Sequence, residues 1–418
     1  ITFLKNQSWI NLQHRLLQFG ILSYILLFPL GQALREICSV ISLSAVFFYY
    51  LGDYKNSNFR LFPYKYIFLF FYGILIFKTF HSVNVPESLR ALDHVSYDSL
   101  LLFFPALEFV KDKKDIPGLP IAVIILLFYI GGDALYQFIS GHDLFFQMPK
   151  FDFMLTATRD DPLLGNLVAI FLPLTFSFFY LVPDSWSRLK KTIIYILLTF
   201  PAYFFLLFSF RRTGFIALAF ALTMFFLLKR KLFSGLLVGS AFFLFFFIGP
   251  TRFLFSQIAK SLQWEIWKTA LVLSRENLFL GSGLDSFKTM QIAYQKPVYI
   301  AGEYVSCTHN LFLGLLVDTG LLGLTVFLLF LFLCLKSIHQ CGLALKEHSA
   351  SSSGIVFFFN LSLFAFLVAA IGALDLYSPY MMAPPFIILG TALGSCLALG
   401  RHYRINQQSS EEHRCENS

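Results

Sequence analysis

The stretch CTHNLFLGLLVDTGLL, residues 307–322, decides how this chain folds. His309 and Asn310 stand at the start of an apolar run that continues, past a polar notch at Asp318–Thr319–Gly320, to Leu335. About 20 apolar residues cross a bilayer as a helix, so the run predicts a transmembrane helix with a histidine at its mouth. Histidine titrates near neutral pH and is costly to bury in a membrane, which makes His309 a candidate for proton transfer.

The composition of the whole chain is that of a polytopic membrane protein. Of the 418 residues, 57% are hydrophobic and 13% are charged, whereas a soluble domain carries about twice that charged fraction. The net charge of +8 comes from small basic clusters between apolar runs, which indicate topology and do not indicate nucleic-acid binding. The six cysteines contain no CxxC pair, so neither a disulfide framework nor a zinc site is expected.

Apolar runs and basic loops together predict an all-α membrane fold with about twelve transmembrane helices. Three short basic loops, at 111–114, 188–191 and 229–231, all fall on one side, which is therefore the cytoplasmic side. Both termini are expected there, with one transmembrane domain at 1–400 and a disordered cytoplasmic tail at 401–418. The predicted spans are about 12–30, 34–51, 65–82, 95–110, 118–138, 162–182, 192–209, 213–229, 232–249, 309–335, 354–374 and 381–400.

One large loop, residues 250–308, is predicted on the opposite, outer side. Between Ser256 and Glu276 apolar residues recur at helical spacing, and Trp264 and Trp267 lie among them. This pattern predicts an amphipathic helix on the membrane surface, with tryptophan at the level of the lipid headgroups. Further along the loop, Gly281–Ser282–Gly283 predicts a tight turn that approaches a ligand.

Four outer arginines are candidates for binding an anion. Arg211 and Arg212 occupy the short turn SFRRT between two apolar runs, and guanidinium groups bind a diphosphate through paired hydrogen bonds. The alternative is an ordinary turn whose arginines reach the membrane surface. Arg159 and Arg275 flank other apolar segments, although Arg159 could simply pair with the two aspartates that follow it. For His309, the alternative is a hydrogen-bonded interfacial histidine without a chemical role.

Three short motifs occur in order along residues 155–390. They are FRRTGF with Arg212 at the arginine position, Trp267–Leu271 continued by Gly281, Gly283 and Phe287, and His309–Leu313 continued by Gly320 and Gly323. Together these motifs resemble the O-antigen ligase family, the membrane glycosyltransferases that also include O-antigen polymerases and protein O-oligosaccharyltransferases. The chain departs from that family at Gln263, where many relatives carry an arginine, and at Gly314, where an acidic residue is usual.

The resemblance implies an inverting glycosyltransferase at the periplasmic face of the bacterial inner membrane. Its donor would be an O-antigen glycan on undecaprenyl diphosphate, and its acceptor a sugar hydroxyl of the lipid A-core. His309 would act as general base while arginines neutralise the leaving diphosphate, without a metal or cofactor. The implied residues are His309 for catalysis, Arg212, Arg211, Arg159 and Arg275 for the diphosphate, and Lys260, Asn310, Asp375 and Tyr377 for the cavity lining.

Three alternatives remain open at this stage. One is a protein O-oligosaccharyltransferase, although such proteins tend to be longer. An O-antigen polymerase would use similar helices and lipid-linked repeats, although polymerases usually have two sizeable outer loops. A polytopic transporter or flippase would explain the helix count without any chemistry, but the chain shows no half-length repeat.

Overall fold

A computed structural model describes residues 7–97, 99–147, 149, 155–157, 164–229, 234, 259–294, 298–300, 303–347, 349–374, 376–377 and 379–416. The described chain is helical apart from its connections and one antiparallel hairpin, β1 (Tyr299–Ile300) with β2 (Glu303–Tyr304). The helices are α1 Gln7–Leu27, α2 Gln32–Asp53, α3 Asn58–Leu61, α4 Lys65–Phe80, α5 Val85–Tyr97, α6 Phe103–Glu108, α7 Gly118–Ser140, α8 Leu164–Thr175, α9 Phe178–Leu181, α10 Arg188–Phe208, α11 Arg212–Leu228, α12 Ala259–Ser274, α13 Phe287–Ala293, α14 Leu311–Leu345, α15 Ala350–Gly372 and α16 Pro379–Glu416.

Within those ranges, seven helical stretches are long and apolar enough to cross a membrane. The expected all-helical membrane fold is therefore confirmed in outline, whereas the number twelve stays a prediction. The predicted span at 232–249 falls almost entirely outside the described residues. The seven stretches are Gln32–Asn56, Lys113–Ser140, Leu164–Leu181, Arg188–Phe208, Leu311–Leu345, Ala350–Gly372 and Met381–Arg401.

Two predicted boundaries differ from the structure. The predicted span 95–110 is not one helix, because α5 ends at Tyr97 and α6 begins only at Phe103, after a 3-10 turn at Leu100–Leu102. Pro105 lies in the first turn of α6, where its missing N–H group costs no helical hydrogen bond, so it favours a helix start at this point. The tail after Arg401, expected to be disordered, continues α16 to Glu416; it contains no proline or glycine to end the helix.

Small residues bring the buried helices into close contact. A Cβ atom added at Gly131 of α7 would lie 2.2 Å from the backbone of Pro201 in α10. A Cβ atom added at Gly394 of α16 would lie 2.2 Å from the carbonyl oxygen of Leu107 in α6. Without side chains at these points the backbones pack directly, as is common between membrane helices, where dispersion contacts replace the hydrophobic effect.

The outer-loop helix predicted between Ser256 and Glu276 is present as α12, but its apolar face packs on protein. Ile266, Ala270 and Leu273 are all buried, against Phe287 and Met290 of α13 and Val317 of α14. The placement of this face on the membrane surface is therefore corrected, because the loop has a small hydrophobic core of its own. Trp264 lies outside this core and is 61% exposed.

Helix α14 is broken at Gly320, and the outer loop fills the break. Gly320 has φ 67° and ψ −168°, which interrupts the helical hydrogen bonds. Four backbone hydrogen bonds of 2.8–3.2 Å join loop residues 278–283 to α14 on both sides of the break. A Cβ atom at Gly281 would lie 2.4 Å from the Asp318 carbonyl oxygen, so this glycine permits the close approach. The tight turn therefore packs against α14, and its approach to a ligand stays a prediction.

Candidate active site

Three helices begin close together, at Leu164 of α8, Arg212 of α11 and Leu311 of α14. A Cβ atom at Gly165 would lie 3.2 Å from Cγ of Arg211, and the charge of Arg211 acts directly on His309. These contacts bring the starts of the three helices to one region. Each helix start carries partial positive charge on its unpaired N–H groups, which together with the arginines favours an anion.

The turn before α14 fixes the position of His309. Asn310 caps the helix, because its side-chain oxygen accepts hydrogen bonds from the N–H groups of Phe312 and Leu313 at 3.0 and 3.1 Å. Thr308 donates its hydroxyl hydrogen to the Asn310 carbonyl at 2.7 Å. Between them His309 adopts φ 48°, a left-handed conformation that is uncommon outside glycine. Asn310, expected to line the cavity, is a buried helix cap that orients the neighbouring histidine.

The surroundings of His309 keep its imidazole neutral. Burial lowers the pKa of His309 below its ordinary value of 6.5, and the nearby charge of Arg211 lowers this pKa further. Cys307 is the other neighbour, with its Sγ 3.5 Å from Nδ1 of the ring. A neutral imidazole has a lone pair that can accept a proton at pH 7, which is what a general base requires.

The turn that carries the two adjacent arginines is also held in an unusual conformation. Phe210 has φ 51°, so a non-glycine residue is left-handed here as well as at His309. Such residues each cost about 1–3 kcal/mol and persist where the surrounding structure holds them. Here the carbonyl of Phe208 accepts a hydrogen bond from the N–H of Leu155 at 3.0 Å. The charge of Arg211 reaches His309, and Arg212 is the first residue of α11, whereas the binding of a diphosphate by either arginine stays a prediction.

Asn166 belongs to this site but was missed from the sequence. It is fully buried in the first turn of α8, and neither its amide nitrogen nor its amide oxygen has a hydrogen-bond partner among the residues that the structure describes. Its oxygen lies 3.3 Å from where a Cβ atom of Gly214 would be, two residues beyond Arg212. The available signal was an amide at the start of an apolar span, where polar residues are costly and often functional.

Gln263 ties the outer loop to the same region. Its Nε2 donates a hydrogen bond to the Gly372 carbonyl at 2.8 Å, and the Thr213 hydroxyl donates to that carbonyl at 3.5 Å. The first half of α12 is therefore anchored between the start of α11 and the end of α15. At the position where the family resemblance noted above implies an arginine, this chain has an amide that makes a structural contact.

Tyr377, expected to line the cavity, instead fastens the broken helix. Its hydroxyl donates to one carboxylate oxygen of Asp318, while the other accepts from the N–H and the hydroxyl of Ser286 at 3.1 and 3.0 Å. Burial, followed by the neighbouring Asp318, raises the pKa of Tyr377 well above its usual range, so its hydroxyl stays protonated and continues to donate. Lys78 adds a further contact, to the Gly281 carbonyl at 2.9 Å.

No described contact tests the remaining candidates. Arg275 is exposed just beyond the end of α12, and about 16 Å of helix separates that end from Gln263. Arg159 and Asp375 lie outside the described residues, as does the side chain of Lys260. Across the described ranges no three His, Cys, Asp or Glu side chains form a group that could hold a metal ion; metal independence stays a prediction.

Comparison with known proteins agrees with this arrangement. Residues 194–328 match the protein family described as O-antigen ligase. This segment contains Arg211, Arg212, Gln263 and His309, whereas Asn166 precedes it. The match supports the resemblance noted from the motifs and a membrane glycosyltransferase of the ligase and polymerase type. No curated protein matches the chain.

Proposed function

Since residues 194–328 belong to the O-antigen ligase family, we propose that this protein transfers an O-antigen glycan from undecaprenyl diphosphate to a sugar hydroxyl of the lipid A-core. The reaction takes place at the periplasmic face of the inner membrane, and both termini lie in the cytoplasm. The observation that carries the proposal is the pairing of Arg211 with a neutral His309 where three helices begin.

The chemistry is a single displacement at the anomeric carbon. An acceptor hydroxyl attacks that carbon and gives its proton to a ring nitrogen of His309. The bond from the anomeric carbon to the diphosphate oxygen breaks, and its electron pair stays on the diphosphate. Attack from the side opposite to the leaving group inverts the configuration. Arg211 and Arg212, together with the helix starts, stabilise the negative charge that grows on the leaving group.

Arg211 has two effects in this scheme. Before the donor binds, its positive charge opposes protonation of His309 and so keeps the base ready. When the diphosphate binds, its negative charge offsets that of Arg211. The imidazolium that forms during the reaction then costs less free energy than it would in the empty site. The donor therefore brings the charge that makes proton transfer to His309 favourable.

The other outer residues complete the proposal. Arg159 joins the diphosphate site, because the segments on both sides of it pack near Arg211: Leu155 bonds to Phe208, and Gly165 contacts Arg211. Arg275 and Lys260, on the outer loop, bind the more distant part of the donor or the phosphorylated acceptor. The polyprenyl chain lies along the apolar helices, and no metal or cofactor takes part.

The decisive experiment uses a deletion strain that expresses single variants, with lipopolysaccharide analysed on a gel. His309→Ala and Arg212→Ala should each leave bare lipid A-core, because one lacks the base and the other a diphosphate contact. His81→Ala is the matched control: this exposed histidine stacks on Phe77, away from the site, and should leave the ladder intact. A full O-antigen ladder with His309→Ala would contradict the proposed base.

The same experiment separates the alternatives. Loss of a polymerase leaves core with one repeat, whereas loss of a ligase leaves core alone. Purified protein should also join a labelled lipid-linked glycan to core lipid in detergent, without any gradient. Failure to do so, together with transport of the same lipid-linked glycan in vesicles, would favour the transporter.

A further inference from the structure

A cleft with a basic mouth lies at the other end of the helices that carry the candidate active site. It has a volume of about 220 Å³ and is formed by the end of α11, the last turns of α14 and the start of α15. Helix α11 is 17 residues long, so this end lies about 24 Å from Arg212. The cleft is therefore separate from His309 and opens near the opposite face of the membrane.

Apart from the phenol of Tyr180, the titratable groups that line the cleft are all basic. They are Lys229, His339 and Lys346, and neither aspartate nor glutamate is among its described lining residues. Both lysines are exposed, and the Nζ atom of Lys229 lies 4.9 Å from the centre of the Phe357 ring. The start of α15, at Ala350, adds the positive end of a helix dipole to the mouth of the cleft. These features favour an anionic ligand.

A buried amide gives a second, independent indication of a ligand. Asn360 lines the cleft, is 2% exposed, and its Oδ1 atom has no hydrogen-bond partner in the described parts of the chain. It lies ten residues beyond Ala350 along α15, about 15 Å deeper than the mouth. Because the oxygen and nitrogen of an amide exchange places by a rotation of the side chain, Asn360 can offer a ligand either an acceptor or a donor.

The walls between the basic mouth and Asn360 are apolar. Leu228, Ile338, Leu343 and Phe357 form them. A free phosphate ion would fill only the mouth and would leave these walls and the amide without contacts. A molecule with an anionic head, ester carbonyls and hydrocarbon chains matches the order of groups along the cleft. Basic pockets between transmembrane helices at the cytoplasmic side bind the headgroups of anionic lipids.

We propose that this cleft is a binding site for an anionic glycerophospholipid. Its phosphate lies between Lys229 and Lys346, its acyl chains follow the apolar wall, and an ester carbonyl accepts a hydrogen bond from the amide of Asn360. In the orientation proposed above, the lipid comes from the cytoplasmic leaflet. The binding site does not depend on the reaction proposed at His309.

The test measures lipid binding to the full-length protein in a mild detergent. The protein is titrated with dioleoylphosphatidylglycerol, dioleoylphosphatidylcholine or inorganic phosphate, and bound lipid is counted by native mass spectrometry. Phosphatidylglycerol should bind in preference to the zwitterionic lipid. The double substitution Lys229→Gln with Lys346→Gln should weaken its binding about 30-fold, from the loss of two cationic contacts.

Two controls make the outcome specific. Lys113→Gln with Lys114→Gln removes the same charge from an exposed loop outside the cleft, and should leave lipid binding unchanged. Asn360→Leu keeps every charge and should still weaken binding of phosphatidylglycerol. If the lipid were held only by general attraction to basic residues, this substitution would leave its binding unchanged. Equal binding of both lipids, no loss in the double variant, or displacement of the lipid by inorganic phosphate would overturn the proposal.

Discussion

Replacing Gly320 with alanine should separate the outer loop from the broken helix. The backbone at φ 67° and ψ −168° is open essentially only to glycine, so an alanine there costs about 1–3 kcal/mol. Its Cβ atom would also lie 2.4 Å from the carbonyl carbon and oxygen of Phe279. The loop must move, which breaks the hydrogen bonds from the N–H groups of Leu321 and Leu322, worth about 1 kcal/mol each.

The sum is a destabilisation of roughly 3–5 kcal/mol, concentrated in the contact between the loop and α14. Thermal unfolding of the purified protein can be followed by tryptophan fluorescence, since Trp264 and Trp267 lie in α12. Gly73→Ala is the matched control, because nothing lies within 4 Å of its added Cβ atom, and it should stay within about 1 kcal/mol of the natural protein. If Gly320→Ala unfolds at the same temperature as Gly73→Ala and keeps a full lipopolysaccharide ladder, the attachment of the loop to α14 does not depend on the break at Gly320.

Three further predictions concern single side chains. Arg211→Gln removes one cause of the lowered pKa of His309, so that pKa should rise, and the acid limb of the rate against pH should move to higher pH; an unmoved limb in purified enzyme would contradict the coupling. Asn310→Ala removes the cap of α14 and should destabilise the protein by about 1 kcal/mol and lower kcat, whereas Asn310→Asp should restore both. Asp318→Ala leaves the hydroxyl of Tyr377 buried without its partner and should lower the midpoint of urea unfolding, a change that Asp318→Asn should largely reverse.

Much of the site follows from local sequence patterns. Apolar length and the spacing of basic loops are enough to predict helices that cross a membrane, because the bilayer imposes one length on every span. His309 before an apolar run predicts a helix start with a histidine at its mouth, whereas the structure added that Asn310 caps this helix. The amphipathic pattern predicts α12 equally well, because it reports only that one face is buried. The pattern does not report what covers that face. The sequence predicted the membrane surface, whereas in the structure the face packs in a small hydrophobic core of the protein.

Relations between distant segments could not be obtained in this way. Hydropathy alone joins residues 95–110 into one run, whereas the structure divides this run before α6, which has Pro105 in its first turn. Gly281 in the loop and Gly320 in α14 lack side chains, and this lets the loop and the helix approach each other closely. The sequence does not show that Asn166 packs against Gly214 or that its buried amide has no partner among the described residues. Both facts depend on how α8 and α11 pack.

The sequence by itself determined the helical class of fold and the resemblance to the O-antigen ligase family, which residues 194–328 match, since these depend on hydrophobic length and short motifs. Only the tertiary structure decided that the charge of Arg211 reaches His309 and that Arg275 is exposed beyond the end of α12. The pKa of His309 depends on burial and on a charge from another helix, and both are set by packing. Because electrostatic interactions act through space, the protonation of His309 depends on which charged groups the packing of the helices places near it.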